Sequence, residues 1–234
     1  MRKVIPVTVI VVLAASLGFL YINGYFDRRS SPAEPKYDNI DDIITACAKA
    51  MGGVDVIEGI QTLKIAQNWP DHGTLFTEIR RPNMERLGET LVWNCTYCAI
   101  LGSSEEIPEE EWKDNEIDIA WYFPAFFDYP AEYIGVETVN EATCYVVEVI
   151  LPLGAVMTYY IDVETDLVLD VAADFTIYGE AHHADRSYGD YREVDGLLYP
   201  HYFTYAGRDE VTRLRATLVS LELNLPLEGR FTIP

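Results

Sequence analysis

The chain has 234 residues, and its 38 acidic side chains against 17 basic ones give a formal net charge of −21. That surplus repels nucleic-acid phosphates and anionic headgroups, so it excludes nucleic acid as a partner and reads as a solvated acidic surface. Past the apolar N-terminus roughly 200 residues remain, enough for one domain with a sizeable core and too few for two.

Residues 1–26 are a separate object. Val4 to Phe26 carries no charge, and at ~1.5 Å per residue it makes a helix of about 35 Å, long enough to cross a hydrocarbon core of ~30 Å. Arg2 and Lys3 in front of it also fit a secretory signal peptide, with Val12-Leu13-Ala14 as small residues a peptidase accepts. Cleavage there would leave Ser16 to Phe26 apolar and exposed, so an uncleaved signal anchor is the favoured reading. No cysteine stands near the end of the run for lipid attachment. Residues 27–37, with Ser30, Ser31, Pro32 and Pro35, form a polar linker.

The domain proper is read as residues 38–234. Ile40, Ile43, Ile44, Cys47 and Met51 follow helical spacing, with Asp38 or Asn39 as cap and Gly52-Gly53 as stop. Val54 to Ile60 reads as a further helical turn. Thr62 to Trp69 and Thr74 to Arg80 read as paired strands around Pro70-Asp71-His72-Gly73, and Leu91 to Leu101 continues the β pattern. Ser103 to Asp118 changes character: Glu105, Glu106, Glu109, Glu110 and Glu111 surround Pro108, the composition of a helix start whose dipole favours negative charge. In Ile119 to Tyr129 the residues Trp121, Tyr122, Phe123, Phe126 and Phe127 crowd around Pro124. They are expected either to line a ligand cavity or lid, or to fill an ordinary core.

Alternation is clearest in the second half. Tyr145, Val147, Val149 and Leu151 share one face, as do Met157, Tyr159 and Ile161. Leu167, Leu169, Val171, Ala173, Phe175 and Ile177 predict one long strand in a single phase, which needs a curved sheet to lie on. Asp195-Gly196, between two apolar runs, predicts a tight hairpin. Leu214, Ala216 and Leu218 keep one phase and Leu221 and Leu223 the other, so a bulge is expected between Leu218 and Leu221.

Chemistry-bearing residues are scattered. Cys95-Thr96-Tyr97-Cys98 has knuckle spacing but no second pair, so no metal site is expected. Cys95, Cys98 and Cys144 are the disulfide candidates of an exported domain, against the alternative of buried thiols. His182 and His183 are adjacent in an expected strand and face opposite ways. No His-x-x-x-His, paired-carboxylate or Gly-x-Ser-x-Gly motif occurs, and neither an enzyme nor a cofactor is expected.

Several segments together resemble a family. Ala50-Met51-Gly52-Gly53 followed by Ile57 to Leu63, Arg81-Pro82-Asn83 with Arg86, and Gly135-Val136-Glu137 with Tyr145-Val146-Val147 are similar to the outer-membrane lipoprotein-sorting (LolA-like) family. Tyr159-Tyr160-Ile161-Asp162 with Glu164-Thr165, the Asp190 to Pro200 hairpin and Asn224 to Pro234 agree with its closing strands. The resemblance covers about Asp41 to Pro234.

It implies an α+β, mainly β fold: a strongly curved antiparallel sheet, an unclosed β-barrel, covered by helices and able to hold acyl chains, here following an N-terminal membrane-spanning helix. It also implies a place outside the cytoplasmic membrane, with the chain crossing once through residues 4–26. The expected function is a membrane-anchored, non-catalytic extracytoplasmic protein binding lipid or lipoprotein acyl chains. The alternative is an envelope sensor or assembly domain with a closed core, touching a protein partner through the acidic Glu105 to Glu116 surface. An anchor would hold the domain at one membrane and so oppose the shuttling of a soluble carrier.

Overall fold

The computed structural model describes residues 33–70, 72–88, 91–94, 98–101, 107–109, 112, 115–206, 212–226 and 231. Residues 34–234 form one compact unit. Residues 4–26 lie outside the described ones, and among the described residues no helix is long and apolar enough to cross a membrane.

Two helices come first, α1 (Ile40–Ala50) and α2 (Val54–Gly59). Of the two expected caps, Asn39 serves: its side-chain oxygen accepts from Asp42 N at 2.9 Å, and its amide donates to the Asp42 carboxylate at 2.7 Å. Ile43, Ala46, Cys47 and Ala48 make the buried face of α1. The chain engages the sheet from Lys36, whose backbone N–H donates to the Tyr145 hydroxyl at 2.6 Å and whose ammonium pairs with Asp166 at 3.2 Å.

Five strands then run as a meander, β1 (Thr62–Trp69), β2 (Gly73–Arg80), β3 (Met84–Leu87), β4 (Leu91–Trp93) and β5 (Cys98–Ile100). Seven more follow in a second meander: β6 (Ala131–Val139), β7 (Ala142–Ile150), β8 (Val156–Asp162), β9 (Val168–Ile177), β10 (Glu180–Val194), β11 (Leu197–Ala206) and β12 (Arg213–Leu223). Strand β12 returns beside β1, so the order is β5-β4-β3-β2-β1-β12-β11-β10-β9-β8-β7-β6 in one curved antiparallel sheet with β5 and β6 as its open edges. The connection from β5 to β6 therefore has to travel from one edge of the sheet to the other. It carries α3 (Asn115–Tyr122) and a 3-10 turn (Ala125–Phe127).

In the stretch whose composition suggested a helix start, the described helix begins at Asn115 and takes in Trp121 and Tyr122, with Ile117, Ile119 and Ala120 as buried positions. Glu105, Glu106, Glu110 and Glu111 lie outside the described residues.

Two irregularities set the sheet's phase. The bulge expected in the last strand is present: Ala66 faces Ser220 and Gln67 faces Leu218, which leaves Val219 extra and 60% exposed. The single phase expected from Leu167 to Ile177 is broken. Tyr160 faces Asp170 and Ile161 faces Val168, so Leu169 is the extra residue and Val168 joins Val171 and Ala173 in the core.

Asp195-Gly196 closes β10 onto β11 with both residues at positive φ, 49° and 86°, as a two-residue I′ turn requires. This turn sits against the end of α1. Met51 O accepts from Leu198 N at 2.8 Å, and a Cβ on Gly52, at φ +129°, would collide with the Gly196 carbonyl. Gly52→Ala is accordingly expected to cost at least ~2 kcal/mol in urea unfolding. Gly53→Ala, at φ +114° with open space around its Cβ, bears the backbone strain alone and should cost less.

Candidate functional site

The concave face of the sheet receives the β5–β6 connection as a plug. Trp121, Tyr122, Phe123 and Phe126 are all 9% exposed or less, and Phe127 is half-buried. Phe126 packs edge-on against Tyr159 at 4.9 Å and against Phe127 at 4.7 Å, and Phe123 meets Phe127 at 5.6 Å. Of the five aromatics, Phe123, Phe126 and Phe127 meet one another, while the Trp121 ring lies over Arg186. Trp121 and Tyr122 point into the sheet, while Phe126 and Phe127 border the outside.

The C-terminal end of α3 is held by a device the sequence reading missed. A helix leaves its last carbonyls without partners. Here three consecutive ones are taken by tyrosine hydroxyls from three strands. Tyr159 of β8 donates to Ala120 O at 3.2 Å, Tyr188 of β10 to Trp121 O at 2.8 Å, and Tyr199 of β11 to Tyr122 O at 2.9 Å. Tyr159 also accepts from Ala125 N at 2.9 Å, which fixes the 3-10 turn. Burial pushes the ionisation of all three phenols upward, so they remain protonated donors. Tyr122 itself is raised to about 12, chiefly by burial.

Charged groups hold the rest. Glu116, in the first turn of α3, accepts from Leu153 N at 2.7 Å and Ala155 N at 3.0 Å, tying the helix to the β7–β8 turn. Arg81 donates to the carbonyls of Ile57 at 2.7 Å and Ile60 at 2.6 Å, clasps Asp128 at 2.8 and 3.0 Å, and lies 4.0 Å over the Phe123 ring. Deeper in, Glu85 is 3% exposed, and its pKa is pushed well up by burial, then by Asp118, with Arg186 opposing.

Cavities of 10 Å³, lined by Trp93, Ile119 and Phe123 among others, and of 20 Å³, lined by Trp121, Tyr159 and Tyr199 among others, flank α3. Each holds about one water and no acyl chain. Outside the plug runs an open groove of 480 Å³, with Ile44, Val54, Ile57, Ile60, Phe126 and Phe127 on its apolar side and Thr45, Glu58, Gln61, Arg81 and Asp128 on its polar side. That volume is within the ~300–1,000 Å³ usual for small-molecule sites.

The curvature, the open edges and a connection crossing the concave face together decide the fold. A solved structure of a LolA superfamily protein from Nitrosomonas europaea superposes with a TM-score of 0.52 at 11% identity, covering 84% of this chain and 99% of that one. This chain has a LolA-like fold. A domain from Vibrio parahaemolyticus named for outer membrane lipoprotein sorting is also similar, with a TM-score of 0.47 at 10% identity, covering 81% of this chain and 94% of that one. No family model matches the sequence, and no curated protein matches it.

Within the LolA-like fold the other candidates fall apart. Cys47, Cys98 and Cys144 are buried; of the three disulfide candidates, Cys98 and Cys144 are not joined to each other, and Cys95 lies outside the described residues. Cys98 is on edge strand β5, whereas Cys144 is on β7 beside the opposite edge, so nine strands separate them in the sheet. Burial raises the Cys144 thiol to about 12, leaving little thiolate to react. His182 stacks on Phe175 at 5.6 Å and His183 contacts Asp174 at 2.7 Å, and among the described residues no group of His, Cys, Asp and Glu could hold a metal ion.

Proposed function

We propose that this protein is a non-catalytic extracytoplasmic binding protein, held at the cytoplasmic membrane through residues 4–26, that takes acyl chains of lipids or lipoproteins into its half-barrel. The observation that carries this reading is the 480 Å³ groove, where Ile44, Val54, Phe126 and Phe127 make one apolar side beside a polar side of Thr45, Glu58, Gln61, Arg81 and Asp128. An acyl chain lying there touches the residues whose displacement opens the concave face. Burial of a chain contributes ~0.8 kcal/mol per methylene, so about ten methylenes give roughly 8 kcal/mol against an association cost of ~4–15 kcal/mol. One chain is marginal, and the plug must be displaced as well. A ligand with two or three chains is the natural occupant.

The test is native mass spectrometry with lipid extraction on protein from an exporting host, followed by titration with a triacylated peptide. The expected result is near-stoichiometric acylated ligand. Phe127→Asp, at the half-buried groove position, is expected to weaken binding at least about tenfold while leaving the melting curve nearly unchanged. A mass that remains that of the apo protein after incubation rejects the acyl-chain reading.

The second reading is an envelope sensor or assembly domain that works by protein contact. Its support is the packing of the described residues around α3, where two cavities hold just 10 and 20 Å³. It predicts the apo mass and a protein partner.

A further inference from the structure

At the mouth of the half-barrel two buried donors have no acceptor. Nη1 of Arg186 on β10 and Nε1 of Trp69 at the end of β1 are shielded from water and bonded to nothing. The guanidinium carbon is 4.7 Å from the Trp121 ring centre, 4.8 Å from Phe203 and 5.7 Å from Trp69. Trp69 packs edge-on to Phe203 at 5.3 Å, closing the cage.

Three ring faces steady a cation, but they accept no ordinary hydrogen bond. Leaving a buried donor unmet costs about 1–3 kcal/mol, so two of them in one ring cluster, the guanidinium carbon 5.7 Å from the Trp69 ring centre, mark a place whose missing part is an oxygen. Glu85, the buried carboxyl that acts on Arg186 electrostatically, is a weakened counter-ion because burial favours its protonated form. Arg186 and Trp69 are each half-buried as residues, so the cage has an edge open to solvent. Neither they nor Phe203 line the 480 Å³ groove, and the inference does not rest on the acyl-chain reading.

We propose that Arg186 and Trp69 form a subsite for an anionic oxygen group, a phosphate monoester or a carboxylate, carried on an apolar body that lies along the half-buried Trp69, the buried Trp121 and Phe203 rings forming the floor behind the guanidinium. The net charge of −21 opposes any anion at long range. Remote charges are nevertheless screened over about 8 Å at physiological salt, whereas a guanidinium in contact with the ligand is screened far less. The subsite therefore differs in kind from a surface basic patch: added salt relieves the repulsion and leaves the contact in place.

The full chain in phosphatidylcholine nanodiscs is titrated with hexyl phosphate, hexanol and inorganic phosphate, following tryptophan emission. All four tryptophans lie beyond residue 26, so the signal comes from the domain. Hexyl phosphate is expected to saturate at a concentration at least about tenfold below hexanol, the preference a charge-assisted contact gives. Its affinity should not fall between about 0.05 and about 0.5 M salt. Arg186→Gln should abolish the preference, and Trp69→Phe, which keeps a ring and deletes the N–H, should reduce it about threefold. Competition by inorganic phosphate identifies a soluble anion as the occupant, and its failure to compete identifies a lipid-like one; either upholds the subsite. Equal affinity for phosphate and alcohol, a preference that survives both substitutions, or no saturable binding of hexyl phosphate overturns it and leaves water as the acceptor.

Discussion

Replacing Tyr159, Tyr188 and Tyr199 together by phenylalanine is expected to lower the stability of the domain by about 3–6 kcal/mol in urea unfolding. The substitutions keep every ring and remove only the three hydroxyls that meet the carbonyls of Ala120, Trp121 and Tyr122. Each lost bond is worth about 1 kcal/mol net, and each carbonyl left buried without a partner adds to that cost. Tyr159→Phe should be the largest single effect, because its hydroxyl also accepts from Ala125 N. Less than about 1 kcal/mol for the triple variant would mean that water replaces the hydroxyls freely and that the plug is held by apolar packing alone.

Stability is expected to fall as pH rises from 5.5 to 8, the reverse of ordinary acid sensitivity. Glu85, Glu116 and Asp170 are all raised, in each case first by burial. Opposing hydrogen bonds reach Glu116 from Ala155 and Leu153, and Asp170 from Ser187 and Asn140. A carboxyl raised on folding holds its proton in the native state at a pH where the unfolded chain has released it. Stability is then gained as pH falls through the raised value, and the gain is complete below the unfolded value of about 4. Partial neutralisation of the −21 net charge acts in the same direction. The melting temperature should be higher at pH 5.5 than at pH 8, with Glu85, the carboxyl raised well above its usual range, contributing most. Glu85→Gln should flatten the dependence. A melting temperature that climbs over the same interval contradicts the assignment.

How far the sequence speaks is seen in particular residues. The bulge at Val219 was legible because Leu218 and Leu221 are in opposite phases, and a sheet with one buried face does not tolerate a phase change without an extra residue. The bulge at Leu169 was hidden for the opposite reason. Leu167, Leu169 and Val171 are all apolar, so the alternation looks continuous while the strand shifts its pairing beneath it. The aromatic stretch after Ile119 was legible as a unit needing cover. Its role as a plug was not, because that follows from topology: the chain must pass from edge β5 to edge β6, and the concave face lies on the way. The tyrosines that cap α3 come from strands β8, β10 and β11, and alternation says which side a residue faces but not what its hydroxyl meets. Nothing in the sequence around Arg186 signals that three rings from β1, α3 and β11 surround it.

If a polar-tethered aromatic plug shuts the concave face and the proposed acyl ligand displaces it, hydrogen exchange read by mass spectrometry on residues 34–234, with and without a triacylated peptide, will show it. Binding is then expected to speed exchange across Ile119 to Tyr129 while β7, β8 and β11 stay protected. Binding that leaves the plug as protected as before, or more so, contradicts it.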